Sequence, residues 1–200
     1  MRPVCPRCAL PVPSCLCRWV TPTANRVPLL VLQHPQEVDQ AKGSVRLLRL
    51  SLAQCHCAAV ESIDAPSLAA RLAAAAGQGP RPLATTAPVL LFPGGDPGGG
   101  PGADPWQSVT GPLVLLDGTW RQARRLLAAS PVLQALPRWA LPAPPPARYT
   151  IRRAQRPEQR STLEAACLAL GLLEDRRAHY QPLLAAFDAW VASVAARQPR

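Results

Sequence analysis

Long apolar runs are missing from this chain. The longest are about five to six residues, against the roughly 20 a helix needs to cross a bilayer, so no membrane span is expected. The first residues, MRPVCPRCALPVPSCLC, hold no apolar stretch of the kind a secretory leader carries, and the expected location is the cytoplasm. Acid is scarce: 12 Asp+Glu stand against 22 Lys+Arg, a formal net charge of +10, and Lys42 is the only lysine. A chain this basic is expected to associate with polyanions, RNA or DNA first; the plainer alternative is a generic solvated basic surface. No internal repeat is found, which excludes a repeat array. No convincing GxGxxG turn is present either, since the glycines of 94–102 are interrupted by proline and open no helix, which removes the usual dinucleotide fingerprint.

What the chain does have is 200 residues, 48% of them hydrophobic and 17% charged, enough for one domain with a sizeable core and a small appendage. It also has seven cysteines. In a reducing compartment these argue for metal ligation or burial rather than disulfides. Four of them, Cys5-x2-Cys8-x6-Cys15-x-Cys17, form two tight pairs joined by a linker containing Pro11 and Pro13. That spacing suits one tetrahedral thiolate site, with Zn²⁺ the expected ion, an iron–sulfur cluster the less favoured one and unliganded thiols in a tail the alternative. Four protein ligands leave no open position, so the expected role is structural, and a segment this short would draw its folding energy from the metal. The expected organisation is a zinc-binding segment over 1–20 and a catalytic domain over 25–200.

Apolar strands are expected at 28–32, 88–92 and 112–116, and a further one at 148–152. Helical spacing appears over 44–60, 67–76, 120–129, 162–173 and 182–196, with Trp120, Ala123, Leu126 and Leu127 forming one buried stripe. Placed on a helix over 44–60, Cys55 and Cys57 would point to different sides and be poor joint ligands, so buried thiols are expected there. Residues 93–105, rich in Gly and Pro, read as a flexible loop. Strands alternating with helices indicate an α/β fold with a mainly parallel sheet and helices on both faces.

The most informative passage is Leu113-Val-Leu-Leu-Asp117-Gly-Thr-Trp120. A buried strand ends at an acid, Gly118 permits a sharp turn, and Thr119 can cap the next helix. Ligands of open α/β sheets bind at strand carboxyl ends, so Asp117 stands where substrates stand; complementing the dipole of the following helix is the competing reading. Between 121 and 160 lie nine arginines (121, 124, 125, 138, 148, 152, 153, 156 and 160) and one acid, Glu158. One carboxylate amid that charge suits an active-site acid or base beside a phosphate-binding surface. Arg121, Arg124 and Arg125 sit in the first turns of a helix, where cations oppose the macrodipole, so a functional reason is more plausible there. Ser161-Thr-Leu-Glu164 matches a capping box, and the same helix start, with its free N–H groups, also reads as lining a ligand site. His34-Pro-Gln-Glu37 follows the first strand, and neither His34 nor Glu37 is assigned as a base without a partner group.

These passages together resemble the DTW-domain family: the four-cysteine head, His34-Pro-x-Glu37 with Arg46-Leu-Leu, Leu91-Phe-Pro93, Leu-Asp117-Gly-Thr119-Trp120 with Arg121-Gln-Ala123, Ser130-Pro, Leu136-Pro137, Arg148-Tyr149-Thr-Ile-Arg152 and Ser161-Thr162-Leu-Glu164-Ala165. They stand in family order over nearly the whole chain, while 61–87 and 94–111 match nothing diagnostic. One departure is Gly43-Ser44-Val45-Arg46, where the family often has Asn-Thr-Gly-Arg; Arg46 is kept. The resemblance implies a SPOUT-like, knotted region binding S-adenosylmethionine (SAM), and transfer of its 3-amino-3-carboxypropyl group to N3 of a tRNA uridine with release of methylthioadenosine. It implies cofactor contacts at Phe92, Pro93, Leu116, Gly118, Thr119, Trp120, Ser161, Thr162 and Glu164, and RNA contacts at His34, Arg46, Arg121, Arg124, Arg125, Arg152 and Arg153.

That chemistry needs a base, because uridine N3 is a weak acid that must lose its proton to attack carbon; Asp117 is the expected base. The sulfonium is already a good leaving group, so the reacting centre needs no metal. Placement decides what moves: Cγ of the methionine chain, not the methyl, must face N3. Two other functions compete, a SPOUT-like RNA methyltransferase and a non-catalytic zinc-ribbon RNA-binding protein. A monomer is the expected state.

Overall fold

A computed structural model describes residues 3–40, 43–76, 87–93, 111–141 and 160–196. Five strands run through it in chain order: β1 (Leu29–Gln33), β2 (Cys55–Ala59), β3 (Val89–Leu91), β4 (Leu113–Asp117) and β5 (Arg138–Trp139). They make one sheet of order β2-β1-β4-β3-β5, parallel at every pairing. The helices are α1 (Pro35–Val38), α2 (Val45–Ser51), α3 (Ala65–Ala76), α4 (Trp120–Ala128), α5 (Pro131–Gln134), α6 (Thr162–Leu173) and α7 (Gln181–Ala196). The α/β reading and the parallel sheet therefore hold. None of the described helices is long and apolar enough to cross a membrane.

The continuous apolar runs of β1 and β4 reflect burial on both faces. Leu29, Val31, Leu113 and Leu115 face a core shared with α2, α6 and α7, in which Phe187 and Trp190 are buried. Leu30, Leu32 and Val114 face the other way, into a core with Leu68 of α3, Leu126 and Leu127 of α4 and Leu133 of α5. This is the two-residue alternation of a strand packed between two helical layers. On α7, Leu183, Leu184, Phe187, Trp190 and Val191 are all buried. Each such side chain contributes about 1.5–3 kcal/mol relative to exposure, so this stripe clamps the last helix to the sheet.

The helix expected over 44–60 is instead two elements. α2 stops at Ser51, Leu52 turns extended, and residues 55–59 become edge strand β2. The break is enforced from outside the segment. Asn25 Oδ1 accepts from the Gln54 N–H at 2.8 Å, and Gln54 Nε2 donates to the Asn25 carbonyl at 2.8 Å. A five-residue parallel ladder with β1 then pairs one edge of Cys55-His-Cys57. A helical spacing of apolar residues cannot reveal either partner. The consequence for the thiols is a reversal: on a strand, i and i+2 share a face, and Cys55 Sγ lies 3.9 Å from Cys57 Sγ, both half-buried. Close association raises the Cys55 pKa, through the hydrogen bond with Cys57 first and burial second.

Trp120 is a second correction. It was expected in the buried stripe of its helix, yet it is 36% exposed, and Ala123, Leu126 and Leu127 form the stripe without it. It stands at the first helical position, where the helix has only just left the sheet end. Strand β5 was not anticipated, because a two-residue strand among prolines carries no periodicity. The strand expected at 148–152 and most of the loop expected at 93–105 lie outside the described residues.

Candidate active site and metal centre

The cysteine head folds as two knuckles facing each other. Ala9, directly after Cys8, takes a left-handed conformation (φ 55°), and its N–H donates to the Cys5 carbonyl at 2.9 Å. That reversal brings Cys8 beside Cys5. The sulfurs of Cys5, Cys8, Cys15 and Cys17 all lie within 4.8 Å of one another, with 5–17 and 8–15 each at 3.7 Å. Together they could hold one metal ion. The backbone N–H groups of Cys8 and Arg7 push the Cys5 thiol down to about 6, whereas burial pushes Cys17 up to about 12. Four thiolates this close repel one another, and a bound cation removes that conflict by supplying the opposite charge. The head has no core of its own; Leu10 and Leu16 are buried in the core shared with α6 and α7.

The second site lies at the carboxyl ends of β1, β4, β3 and β5. Parallel register places Gln33 opposite Asp117. Gln33 Nε2 donates to Asp117 Oδ2 at 2.8 Å, and the Thr162 hydroxyl donates to Oδ1 at 2.5 Å. Each oxygen of the carboxylate thus accepts from a different element, one from a strand end and one from the first turn of α6. Gln33 Nε2 also reaches the Glu37 carbonyl at 3.3 Å, which fixes the amide from both sides.

Both helices beside Asp117 begin with capping boxes. Thr119 Oγ1 accepts from the Gln122 N–H while Gln122 Oε1 accepts from the Thr119 N–H at 2.7 Å. At α6, Ser161 Oγ accepts from the Glu164 N–H, and Glu164, 3% exposed, accepts from the Ser161 N–H at 3.0 Å. Gly118 is required between them: a Cβ there would come within 3.1 Å of Gln122 Cβ and 3.4 Å of His34 Cβ. His34, 9% exposed, caps α1, its Nδ1 accepting from the Gln36 N–H at 3.3 Å. That acceptance puts the proton of a neutral ring on Nε2. Gln122 Nε2 lies 3.3 Å from the same Nδ1, so α4 and α1 are tied together through this ring.

Next to Asp117 a cleft of about 330 Å³ opens. Phe92, Leu116, Trp120, Trp139 and Leu141 supply its apolar lining, and Gly118, Arg160 and Thr162 its polar end. Phe92 and Trp120 meet edge to face with centroids 5.8 Å apart. The size lies in the range of about 300–1,000 Å³ usual for small-molecule clefts, and an apolar wall with few polar groups is the usual make-up.

A family described as the DTW domain matches residues 2–195. The chain belongs to that family. Among relatives of this DTW protein, one from Drosophila melanogaster is 31% identical over 179 residues, covering 86% of this chain and 67% of its own length. One from Mus musculus is 27% identical over 190 residues, covering 92% of this chain and 60% of its own length. Both are named tRNA-uridine aminocarboxypropyltransferase 2. The DTW chain thus spans about two thirds or less of the length of these relatives. No solved structure matches it.

Of the residues expected from sequence to meet a cofactor, Phe92, Pro93, Leu116, Gly118, Trp120 and Thr162 line the cleft. Thr119, Ser161 and Glu164 stand behind it as helix caps. Arg121, Arg124 and Arg125 are exposed on α4, Arg46 is half-buried on α2, and Arg152 and Arg153 lie outside the described residues. Sequence reasoning missed Gln33, whose signal was its place as the polar end of a buried strand. It also missed Trp139 and Leu141, whose signal was a tryptophan stranded among prolines. Ser44 is buried and its Oγ accepts from the Leu163 N–H at 3.4 Å, tying α2 to the start of α6.

Proposed function

We propose that this DTW chain transfers the 3-amino-3-carboxypropyl group of SAM to N3 of a uridine in tRNA, releasing methylthioadenosine. The observation that carries the reading is Asp117, gripped by Gln33 and by Thr162, the latter lining the polar end of an aromatic cleft. The relatives' printed names supply the reaction class. In this reading the cleft takes the adenosine, with Phe92, Trp120 and Trp139 against its ring. Asp117 receives the N3 proton as the N3–Cγ bond forms and the Cγ–S bond breaks, the sulfur keeping the electron pair and losing its positive charge. Held by two donors on separate elements, Asp117 does not need to reorganise when the reaction begins. A knotted, SPOUT-like course of the chain around the cleft is part of the proposal. So are tRNA contacts by Arg121, Arg124, Arg125, Arg152 and Arg153, and a monomer working in the cytoplasm.

The head ion is proposed to be zinc. A tetrahedron of Zn–S bonds of about 2.3 Å has sulfurs about 3.8 Å apart, close to the 3.7 Å seen for two of the pairs. Its role is to fold the head; four thiolates leave it no reacting position.

The deciding experiment is mass spectrometry of nucleosides after incubating tRNA with the protein and SAM. Uridine gaining the aminocarboxypropyl mass is expected. A methyl increment instead would reassign the chain as a methyltransferase. No product and no SAM binding by calorimetry would leave an RNA-binding protein.

A further inference from the structure

A second cavity, of about 280 Å³, lies under the corner between α1 and α2 against the ends of β1 and β2. Gln33 lines it, and Thr162 lines the aromatic cleft. The two cavities therefore stand at opposite ends of one hydrogen-bonded chain, Gln33–Asp117–Thr162. Asp117 lines neither cavity itself; of its two hydrogen-bond partners one lines each, so the carboxylate lies between the two.

The lining of the second cavity is polar. Arg46 and Arg49 contribute two positive charges, Glu37 and Asp39 two negative ones. A phosphate site would carry a net positive charge; this one is balanced, which suits a neutral heterocycle with donors and acceptors on one edge. The lining also contains a specific vacancy for an acceptor. Arg46 Nη2 donates to the Val38 carbonyl at 3.1 Å, but its buried Nη1 has no hydrogen-bond partner among the described residues. A buried guanidinium nitrogen without a partner costs free energy, and a ligand oxygen relieves it.

We propose that this cavity receives the uracil ring of the target nucleotide, turned out of the RNA, with a uracil carbonyl accepting from Arg46 Nη1 and N3 directed toward Asp117. The proposal rests on the function given above and adds where the second substrate is held. Single-stranded and flipped bases are read through their Watson–Crick edge in this way. One wall of the cavity is Ala9, the left-handed residue directly after the ligand Cys8. The metal head thereby shapes the pocket for the base without touching the cleft for SAM.

The test uses the full chain with total tRNA and SAM. Arg46→Gln is expected to raise the KM for tRNA about 10- to 100-fold, the size of a lost hydrogen bond to a charged group, with SAM affinity unchanged by calorimetry. The salt dependence of tRNA binding should keep its slope, because no phosphate contact is lost. Ala59→Phe provides an independent check: Ala59 is exposed at the end of β2 and lines the same cavity, so an added ring fills the mouth while removing no hydrogen bond. It should raise the KM for tRNA and leave SAM affinity alone. A salt slope reduced by about one in Arg46→Gln would assign Arg46 to a phosphate and overturn the base pocket. Unchanged KM in both variants, or weakened SAM binding in either, would also overturn it while leaving the transfer activity of the unaltered chain, and so the proposed function, standing.

Discussion

The cysteine head and the aspartate cluster both hold side chains at fixed distances, and they do so on opposite scales. The head gathers its four thiols from residues 5 to 17. The cluster gathers Asp117 with a glutamine 84 residues earlier and a threonine 45 residues later. In the head, spacing along the chain and the left-handed turn at Ala9 bring the thiols together, and a cation could hold them there. In the cluster, the parallel ladder between β1 and β4 and the capped start of α6 do so. The difference teaches what each is expected to tolerate: the head should depend on a bound metal, and the cluster on backbone register.

The largest effect should come from taking the metal away. Structural zinc binds finger peptides with about 10–16 kcal/mol, more than any single contact elsewhere in the fold. Elemental analysis should give one zinc per chain, and a strong chelator should remove hydrogen-exchange protection from residues of the head while the amides of β1 and β4 stay protected. If head and sheet lose protection together, the two regions are one cooperative unit and the contrast between them fails. Next in size is Asp117→Asn, which keeps shape and one acceptor oxygen but cannot take a proton. A general base contributes about a hundredfold to ten-thousandfold, so single-turnover transfer should fall by that factor with SAM affinity nearly intact. Were Asp117 only complementing the α4 dipole, the cost would be about 0.3–1 kcal/mol of stability with turnover preserved. Were it holding the amino group of SAM, affinity would fall as well.

A smaller loss is expected for Gln33→Leu. It removes the 2.8 Å bond to Oδ2 while leaving Thr162 on Oδ1. Turnover should drop about 10- to 100-fold, the worth of one hydrogen bond to a charged group, and an unchanged rate would show that the strand end does not position the acid. The smallest effect belongs to Ser161→Ala. It deletes the cap of α6 and should cost about 0.5–2 kcal/mol in denaturant unfolding. A turnover loss larger than that stability loss explains would show the helix start touching substrate.

How much of this was legible follows from the same difference in scale. The clustering of the head's four thiols was readable because they are neighbours in sequence and thiol pairs have few other uses. The place of Asp117 at a strand end was readable because a buried strand ending in acid, glycine and a capping residue is a local pattern, and the α6 capping box likewise. Gln33 was not, because its importance comes from lying opposite Asp117 across a ladder that no local pattern announces. The helix wrongly extended through Cys55-His-Cys57 failed for the same reason: Asn25 and β1, both distant in sequence, decide that segment. Trp120 carried the right residue type with the wrong consequence, since periodicity assigns a face to a helix but does not say whether its first residue still lies over the sheet.

The five paired positions from Leu29↔Leu113 to Gln33↔Asp117 carry a consequence for how this chain can evolve. Side chains along a strand alternate in direction, so inserting or deleting one residue in β1 or β4 would send Asp117 or Gln33 to the opposite side of the sheet. Exchanges among Leu, Val and Ile in the same strands keep register and alter only packing. A library of single-codon insertions and deletions should therefore be purged from these ten positions far more strongly than a library of aliphatic substitutions. The length of these two strands, more than their composition, is what descent has to preserve.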